Sequence, residues 1–347
     1  MAGVSIATAS RALSNPDLVA DDTRNTVQVA AESCGYQINL VARSLRKQRT
    51  NSILVLIPEI DNRFYPAIIE GLEERAFALG FSMILGLTGN YKQRENSYFD
   101  IIKSRRADGL VILDGGLDRL IEGGLQFNVP TVQVLECLGG TTIPTVRIDD
   151  RHIAALAVKH LVDLGHRRIG HITGSGNSLV SIERLGGYRE AIAAHGCSAD
   201  ADLTACGNYT HDGGEAAMHG LLDRDRPPTA VFCANDASAL GAIHACRKRG
   251  LKVPDDLSIM GIDDIDDAAA CDPPLTTFHQ PRREIGANAM DMLIALMDKA
   301  GPGNRNVIVP VQLVLRQSTA PLIAISHSAG TPARRAALHP NPNPSSG

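Results

Sequence analysis

The chain has 347 residues, a formal charge of −4 and 44% hydrophobic residues, enough for two or three domains with real cores. That balance excludes a protein coated in positive charge. No apolar run reaches the roughly 18–20 residues that span a membrane, and the N-terminal residues lack the basic-then-apolar texture of a secretory signal. Seven scattered cysteines, never in CxxC spacing, read as the reduced thiols of a cytoplasmic protein rather than a disulfide frame or a zinc site. Charge is uneven. Residues 1–50 hold six Lys/Arg against four Asp/Glu, so the remainder carries −6. Four of those six are Arg43, Arg46, Lys47 and Arg49. A short basic stretch beside an acidic body suits either a phosphate-binding head or a solvated linker.

Residues 1–50 read as short helices. Ser5 can cap a helix over Ile6–Leu13, with Ala9, Ala12 and Leu13 on one face. Asn15-Pro16-Asp17 is a turn. Asp21 and Asp22 place negative charge at the start of a second helix, where the helix dipole favours it. That helix carries Val27, Ala30, Ala31 and Cys34 on its apolar face and ends at Gly35. Asn39 can cap a further short helix, Leu40–Arg46.

From Ser52 the texture changes. Ile/Leu/Val-rich runs (Ile53–Ile57, Met83–Leu87, Leu110–Leu113, Thr131–Leu135, Ile169–Ile172, Ala230–Cys233, Leu257–Ile262) alternate with helical stretches (Pro66–Leu79, Asn96–Arg105, Ile153–Leu164, Ser238–Arg249, Glu284–Met297). Near-continuous apolar strands separated by helices predict parallel sheets covered on both faces. The pattern runs to about Val146 and again from about Asp150. Two α/β lobes of this kind put a cleft at the carboxyl ends of their strands. After Pro321 there is no periodicity, and the composition predicts a disordered tail over 322–347.

Two short elements bear on function. In Ala2–Leu13 a tight turn, a Ser cap and small polar residues suit entry into a major groove. Thr8, Ser10 and Arg11 can bond phosphates or base edges, and Ile6 or Ala7 can touch a thymine methyl. An ordinary surface helix has the same features. Asn39–Arg46 is too short to be helical alone, since isolated helices need ~12–15 residues. Leu45 between Arg43 and Arg46 suits a minor-groove wedge with phosphate anchors; a plain domain linker is the alternative.

At this point the chain resembles the LacI/GalR family of bacterial transcription regulators. AGVSIATASRALSNP is similar to that family's recognition-helix region, and GYQINLVARSL to its hinge helix. The likeness continues through RRADGLVIL (105–113), LGHRRIGHITG (164–174), ERLGGYREAI (183–192), PPTAVFCANDASALGAI (227–243), VPDDLSIMGIDD (253–264) and PPLTTFHQP (273–281). The runs RGLKVPDDLSIMGIDDID, CDPPLTTFHQPRREIG and IPTVRIDD are most similar to its cytidine-responsive branch. The resemblance implies a small all-α helix-turn-helix head over 1–38, a hinge helix and linker over 39–51, and an α/β effector domain of two Rossmann-like lobes, periplasmic-binding-protein-like, over 52–321. It implies DNA contacts from Ser5, Ile6, Ala7, Thr8, Ser10, Arg11, Asn39, Ala42, Arg43, Ser44 and Leu45. It implies a homodimer on double-stranded, pseudo-palindromic operator DNA, controlled by a nucleoside- or sugar-like effector, with no cofactor and no membrane partner. Family members carry one more helix before the turn at Gly3. Its absence makes the head truncated; an in-frame segment upstream of Met1 is the expected explanation, and a genuinely shortened head the other.

The same resemblance selects cleft candidates. Asn62, Phe64 and Tyr65 occupy an Asn-Pro-aromatic-aromatic loop in which Arg63 replaces the proline; an aromatic there stacks on a ligand or simply packs. Asp149 ends a strand at the lobe crossover and is a candidate acceptor for ligand hydroxyls, with Asp150 next to it where the family often has Asn. Arg184 matches an arginine aimed at vicinal oxygens. Asn235 and Asp263 end strands. Tyr209 and Gln280 are read as ligand contacts or as cap and loop bonds. Such a set suits a neutral, hydroxyl-rich ligand. The run Asp263–Asp267 lacks EF-hand spacing and nearby His or Cys, so no metal site is expected. No GxxxxGK[ST] loop or GxSxG elbow is present, so no enzyme is expected. A transporter's solute receptor of the same two-lobed fold is the alternative; it calls for a secretory signal and no basic hinge.

Overall fold

The computed structural model describes residues 2–14, 16–36, 49–89, 92–113, 129–136, 142–176, 178–198, 200, 203–298 and 305–322. The expected hinge helix, with Asn39, Ala42, Arg43, Ser44 and Leu45, and the expected tail beyond Leu322 lie outside them.

The head is built from α1 (Ile6–Ser14), a 3₁₀ turn (Pro16–Leu18) and α2 (Asp21–Ser33). Ser5 caps α1: its Oγ accepts from the Thr8 amide at 3.1 Å and shares a hydrogen bond with Thr8 Oγ1 at 2.9 Å. The two helices pack together, and Ala12 and Val27 are the buried apolar residues among the described residues of the head. In α2, Asp21 sits in the first turn and pairs with Arg24 at 2.7 Å. Cys34, expected on the apolar face, is exposed; it lies just past the last turn, where the helix no longer holds it against α1.

The body contains β1 (Ser52–Ile57), α3 (Tyr65–Ala78), β2 (Ser82–Leu87), α4 (Lys92–Lys103), β3 (Gly109–Ile112), β4 (Thr131–Val134), β5 (Thr145–Arg147), α5 (Asp150–Asp163), β6 (Ile169–Thr173), α6 (Leu179–Ala194), β7 (Thr204–Cys206), α7 (His211–Leu222), β8 (Ala230–Cys233), α8 (Asp236–Lys248), β9 (Ser258–Met260), α9 (Asp266–Ala270), β10 (Thr277–His279), α10 (Arg282–Met297), β11 (Asn306–Ile308) and β12 (Gln312–Val314). The first lobe holds the parallel sheet β11-β5-β4-β3-β1-β2, and the second the parallel sheet β7-β6-β8-β9. β10 and β12 form an antiparallel pair. Five consecutive apolar residues of β1, Ile53–Ile57, are buried, because helices cover both faces of a parallel sheet.

The lobes do not divide the chain into two consecutive halves. After β10 the chain returns to the first lobe, where α10 packs on α3 and β11 extends the sheet beside β5, before β12 crosses back. Three crossings therefore join the lobes: Ile148–Asp150, Gln280–Arg282 and the segment between β11 and β12. Because all strands within each main sheet are parallel, their carboxyl ends lie on one edge, and that edge of each sheet faces the gap between the lobes. No helix among the described residues is long and apolar enough to cross a membrane.

Candidate functional site

The gap is a cleft of about 460 Å³. From the first lobe it is lined by residues that follow strand ends: Glu59 after β1, Leu113 after β3, Glu136 after β4 and Ile148 after β5. Asn62, Phe64 and Tyr65 close one side at the start of α3. From the second lobe come Asp150, Ser178 and Arg184 on α5 and α6, Asn208 and Tyr209 after β7, Asn235 after β8, and Asp263 and Gln280 beside the crossing.

Eight of the nine cleft residues expected from the sequence are thus brought together: Asn62, Phe64, Tyr65, Arg184, Tyr209, Asn235, Asp263 and Gln280. Asp149 is not. Its side chain is exposed and its Oδ1 accepts from the His152 amide at 3.0 Å, capping α5. A short carboxylate just before a helix satisfies the free amides of the first turn, which turns Asp149 outward and its neighbour Asp150 into the cleft. Glu136 and Ser178 were not expected. Glu136 stands just past a strand end, the same signal that pointed to Asp263.

Arg184 is almost fully buried, with its Nε donating to Asp150 Oδ1 at 2.8 Å and Nη1 donating to the carbonyl of Ala234. Burial pushes the Asp150 carboxyl up in spite of that guanidinium. Asn235 is engaged at both ends: Nδ2 donates to the Tyr209 carbonyl at 3.0 Å and Oδ1 caps α8 by accepting from the Ser238 amide at 3.0 Å. It fixes the loop that carries Tyr209. In that loop Asn208 and Tyr209 both take left-handed backbone, φ 53° and 61°, a conformation costly for non-glycine residues and concentrated at binding sites. A Cβ on Gly174 would lie 2.0 Å from the Tyr209 ring, so a bare glycine there makes room for the aromatic.

Asp263 accepts from Gln280 Nε2 at 2.8 Å. Burial first, and then the nearby Asp236 carboxylate, push its carboxyl well up, against Arg184 and Arg282. The neutral acid form can donate as well as accept. Gln280 lines the cleft, and its Oε1 is buried with no partner among the described residues, an acceptor still to be satisfied. Asn62 Oδ1 accepts from the Phe64 amide at 3.0 Å, and its Nδ2 donates to Glu59 at 3.2 Å, which sets the aromatic pair Phe64–Tyr65 edge to face. Four carboxyl groups (Glu59, Glu136, Asp150, Asp263) and one guanidinium line the cleft. Such a set of donors and acceptors can bond hydroxyl or amide groups.

In the head, Ile6 is 90% exposed, and Ala7, Ser10 and Arg11 lie exposed along the same face of α1. Thr8 is half-buried and Ser5 is spent on the cap.

Residues 1–39 match the model for "Bacterial regulatory proteins, lacI family" and residues 158–319 that for "Periplasmic binding protein-like domain". The HTH-type transcriptional repressor CytR of Escherichia coli (strain K12) is 40% identical over 321 residues, covering 92% of this chain and 94% of its own. The HTH-type transcriptional regulator DegA of Bacillus subtilis (strain 168) is 36% identical, covering 92% and 96%. Among solved structures, the lac repressor dimer bound to operator and the anti-inducer ONPF is 29% identical, with a TM-score of 0.81 over 92% of this chain and 96% of that one. The chain therefore belongs to the LacI family of bacterial transcriptional regulators.

Proposed function

We propose that the protein is a cytoplasmic repressor acting as a homodimer on a pseudo-palindromic operator, with a neutral nucleoside, or else a monosaccharide, as its effector. The observation that carries this is the cleft itself: polar groups from both lobes converge on one space, with Glu136 on one side and Arg184, Tyr209 and Gln280 on the other. A ligand touching both lobes changes their relative angle, and the lobes are what separate two heads in a symmetric pair. The proposed DNA contacts are Ile6, Ala7, Ser10 and Arg11 on the exposed face of α1, followed by the basic segment that ends at Arg49. The proposed effector contacts are the eight residues gathered in the cleft, with Glu136 and Ser178 added. The likeness of RGLKVPDDLSIMGIDDID, CDPPLTTFHQPRREIG and IPTVRIDD to the family's cytidine-responsive branch favours a nucleoside over a sugar, and the carboxyl groups of the lining favour a nucleoside over a nucleotide.

The experiment is a thermal-shift screen of the full chain against nucleosides, nucleotides and monosaccharides, since ligand binding raises the melting temperature by mass action. Fluorescence anisotropy on operator-length duplexes, with and without the best ligand, follows. A nucleoside that stabilises the protein and alters sequence-specific DNA binding is the expected result. Sequence-independent DNA binding at every ligand concentration would overturn the proposal.

A further inference from the structure

We infer that His211, Glu215 and His244 form a binding site for a divalent transition-metal cation of the zinc class, joining α7 to α8 beside the cleft. His211 and Glu215 lie one helical turn apart on the same face of α7, and His244 comes from α8. The ligand atoms of the three lie within 4.8 Å of one another. His244 Nδ1 is already 3.2 Å from Glu215 Oε2, about the separation of two ligand atoms around a tetrahedral zinc with bonds of roughly 2.0–2.2 Å. His211 and His244 are each about half exposed, 46% and 42%, and their rings lie 5.5 Å apart. Their side chains are free to draw in by the remaining ångström or so.

The backbone explains why these side chains meet. A Cβ on Gly241 of α8 would lie 1.9 Å from the His211 carbonyl, so the helices touch backbone to backbone at the very turn that carries the imidazole. The surroundings have the form of an outer shell. Asp212 Oδ1 lies 3.3 Å from His211 Nδ1, a carboxylate–imidazole pairing of the kind that orients metal-bound histidines. Arg249 Nε donates to His219 Nδ1 at 2.9 Å, which leaves the His219 Nε2–H facing Glu215 Oε1 at 3.6 Å; His219 is a positioning residue for the carboxylate. Lys248 Nζ donates to the same Oε1 at 2.6 Å. Lys248 is a flexible, half-exposed side chain, and a dication supplies the charge it leaves behind.

Two imidazoles and one carboxylate select zinc, nickel, cobalt or copper over magnesium and calcium, which prefer all-oxygen shells. Three protein ligands leave a fourth position for water. His211 directly follows Asn208, Tyr209 and Thr210 of the cleft wall, and Asn235 of the same wall caps α8, so a bound ion would hold that wall together. The inference stands on this geometry alone and does not depend on the effector reading.

The test is isothermal titration of the full chain, free of any affinity tag, with Zn²⁺ and with Co²⁺. The expected result is one equivalent bound per chain, with the visible absorption of four-coordinate Co²⁺. H211N/H244N weakens it at least tenfold at unchanged melting temperature without metal, and K248M tightens it several-fold. No stoichiometric binding by the wild type, wild-type affinity in H211N/H244N, or Mg²⁺ competing on equal terms would each overturn the inference. Should H211N/H244N fold poorly, K248M alone decides: unchanged or weaker affinity rejects it.

Discussion

Ser178, at the N-cap of α6 in the second lobe, donates across the cleft to Oε1 of Glu136 in the first lobe at 2.7 Å. The Tyr209 hydroxyl lies 3.4 Å from the same Ser178 Oγ. The lobes are thus tied by a bond whose two ends both line the ligand space. A ligand that takes over either partner exchanges a lobe–lobe bond for lobe–ligand bonds. This is a differential contact between open and closed states, which any ligand-driven shift requires.

Glu136→Ala is therefore expected to weaken the stabilising nucleoside identified by the thermal-shift screen by about tenfold. Hydrogen bonds to charged groups contribute about 1.5–3 kcal/mol, and the lower figure corresponds to about tenfold in affinity. Calorimetric titration gives the affinity directly. An unchanged dissociation constant in Glu136→Ala would remove this residue from the site.

Arg184 is a stability residue as well as a cleft residue. It shares burial with Asp150, whose side chain is 4% exposed. In Arg184→Ala the Asp150 carboxylate stays buried without its counter-ion, which costs about 3–5 kcal/mol. For a body of this size that corresponds to a melting temperature lower by on the order of 10 °C. Adding Asp150→Asn removes the orphaned charge and is expected to recover part of the loss. A single variant that melts within about 2 °C of wild type would show that the pair is not held as the geometry implies.

Two buried groups give opposite pH dependences. His171 is stacked between Tyr188 and Phe232, with Nδ1 2.9 Å from the Phe232 carbonyl. Burial pushes it down to about 4. The folded state keeps it neutral while the unfolded chain takes up a proton below about 6.5, so this group makes stability fall as pH drops from about 6.5 towards 4. Burial pushes Asp236 up to about 6. Its extra proton in the folded state stabilises below the ordinary carboxylate range, and that contribution is lost as pH rises through about 6. His171→Leu isolates the first effect, because Asp236 is common to both proteins. Urea unfolding is expected to show the variant less destabilised at pH 5 than at pH 7 by on the order of 2 kcal/mol. Equal destabilisation at both pH values would contradict a neutral buried His171.

The long apolar strands were legible because burial on both faces leaves no polar alternation: Ala230–Cys233 coincides with the expectation residue for residue, and the expected Ile53–Ile57 lacks only Ser52 of the observed strand. Asn306–Ile308 and Gln312–Val314 were not, since three residues carry no period and their partners lie far away in sequence. Helices Leu179–Ala194 and His211–Leu222 were missed as helices because glycines and polar residues blur their apolar stripe. Most cleft residues were legible as polar side chains just past strand ends or from family motifs. The exchange of Asp149 for Asp150 turned on a single helical position, which only the helix start decides. The pairing of Glu215 with His244 was not legible, because two helices must pack before they become neighbours.

Arg11 is exposed on the face of α1 that carries Ile6 and Ala7, and on the reading proposed above its guanidinium meets a phosphate or a guanine edge. The two contacts predict different outcomes for Arg11→Ala. Loss of a phosphate contact weakens binding to all duplexes alike and lowers the slope of log affinity against log salt by about 1 per half-site. Loss of a guanine contact costs about 1–3 kcal/mol on the operator alone and relaxes preference at one base pair. Anisotropy titrations over a range of salt, on operator and on a scrambled duplex, separate the two. Because Arg11 is exposed and is not one of the buried residues Ala12 and Val27 of the head, its removal should leave the melting temperature unchanged. An Arg11→Ala protein that binds both duplexes as wild type does at every salt concentration would place the DNA-facing surface elsewhere.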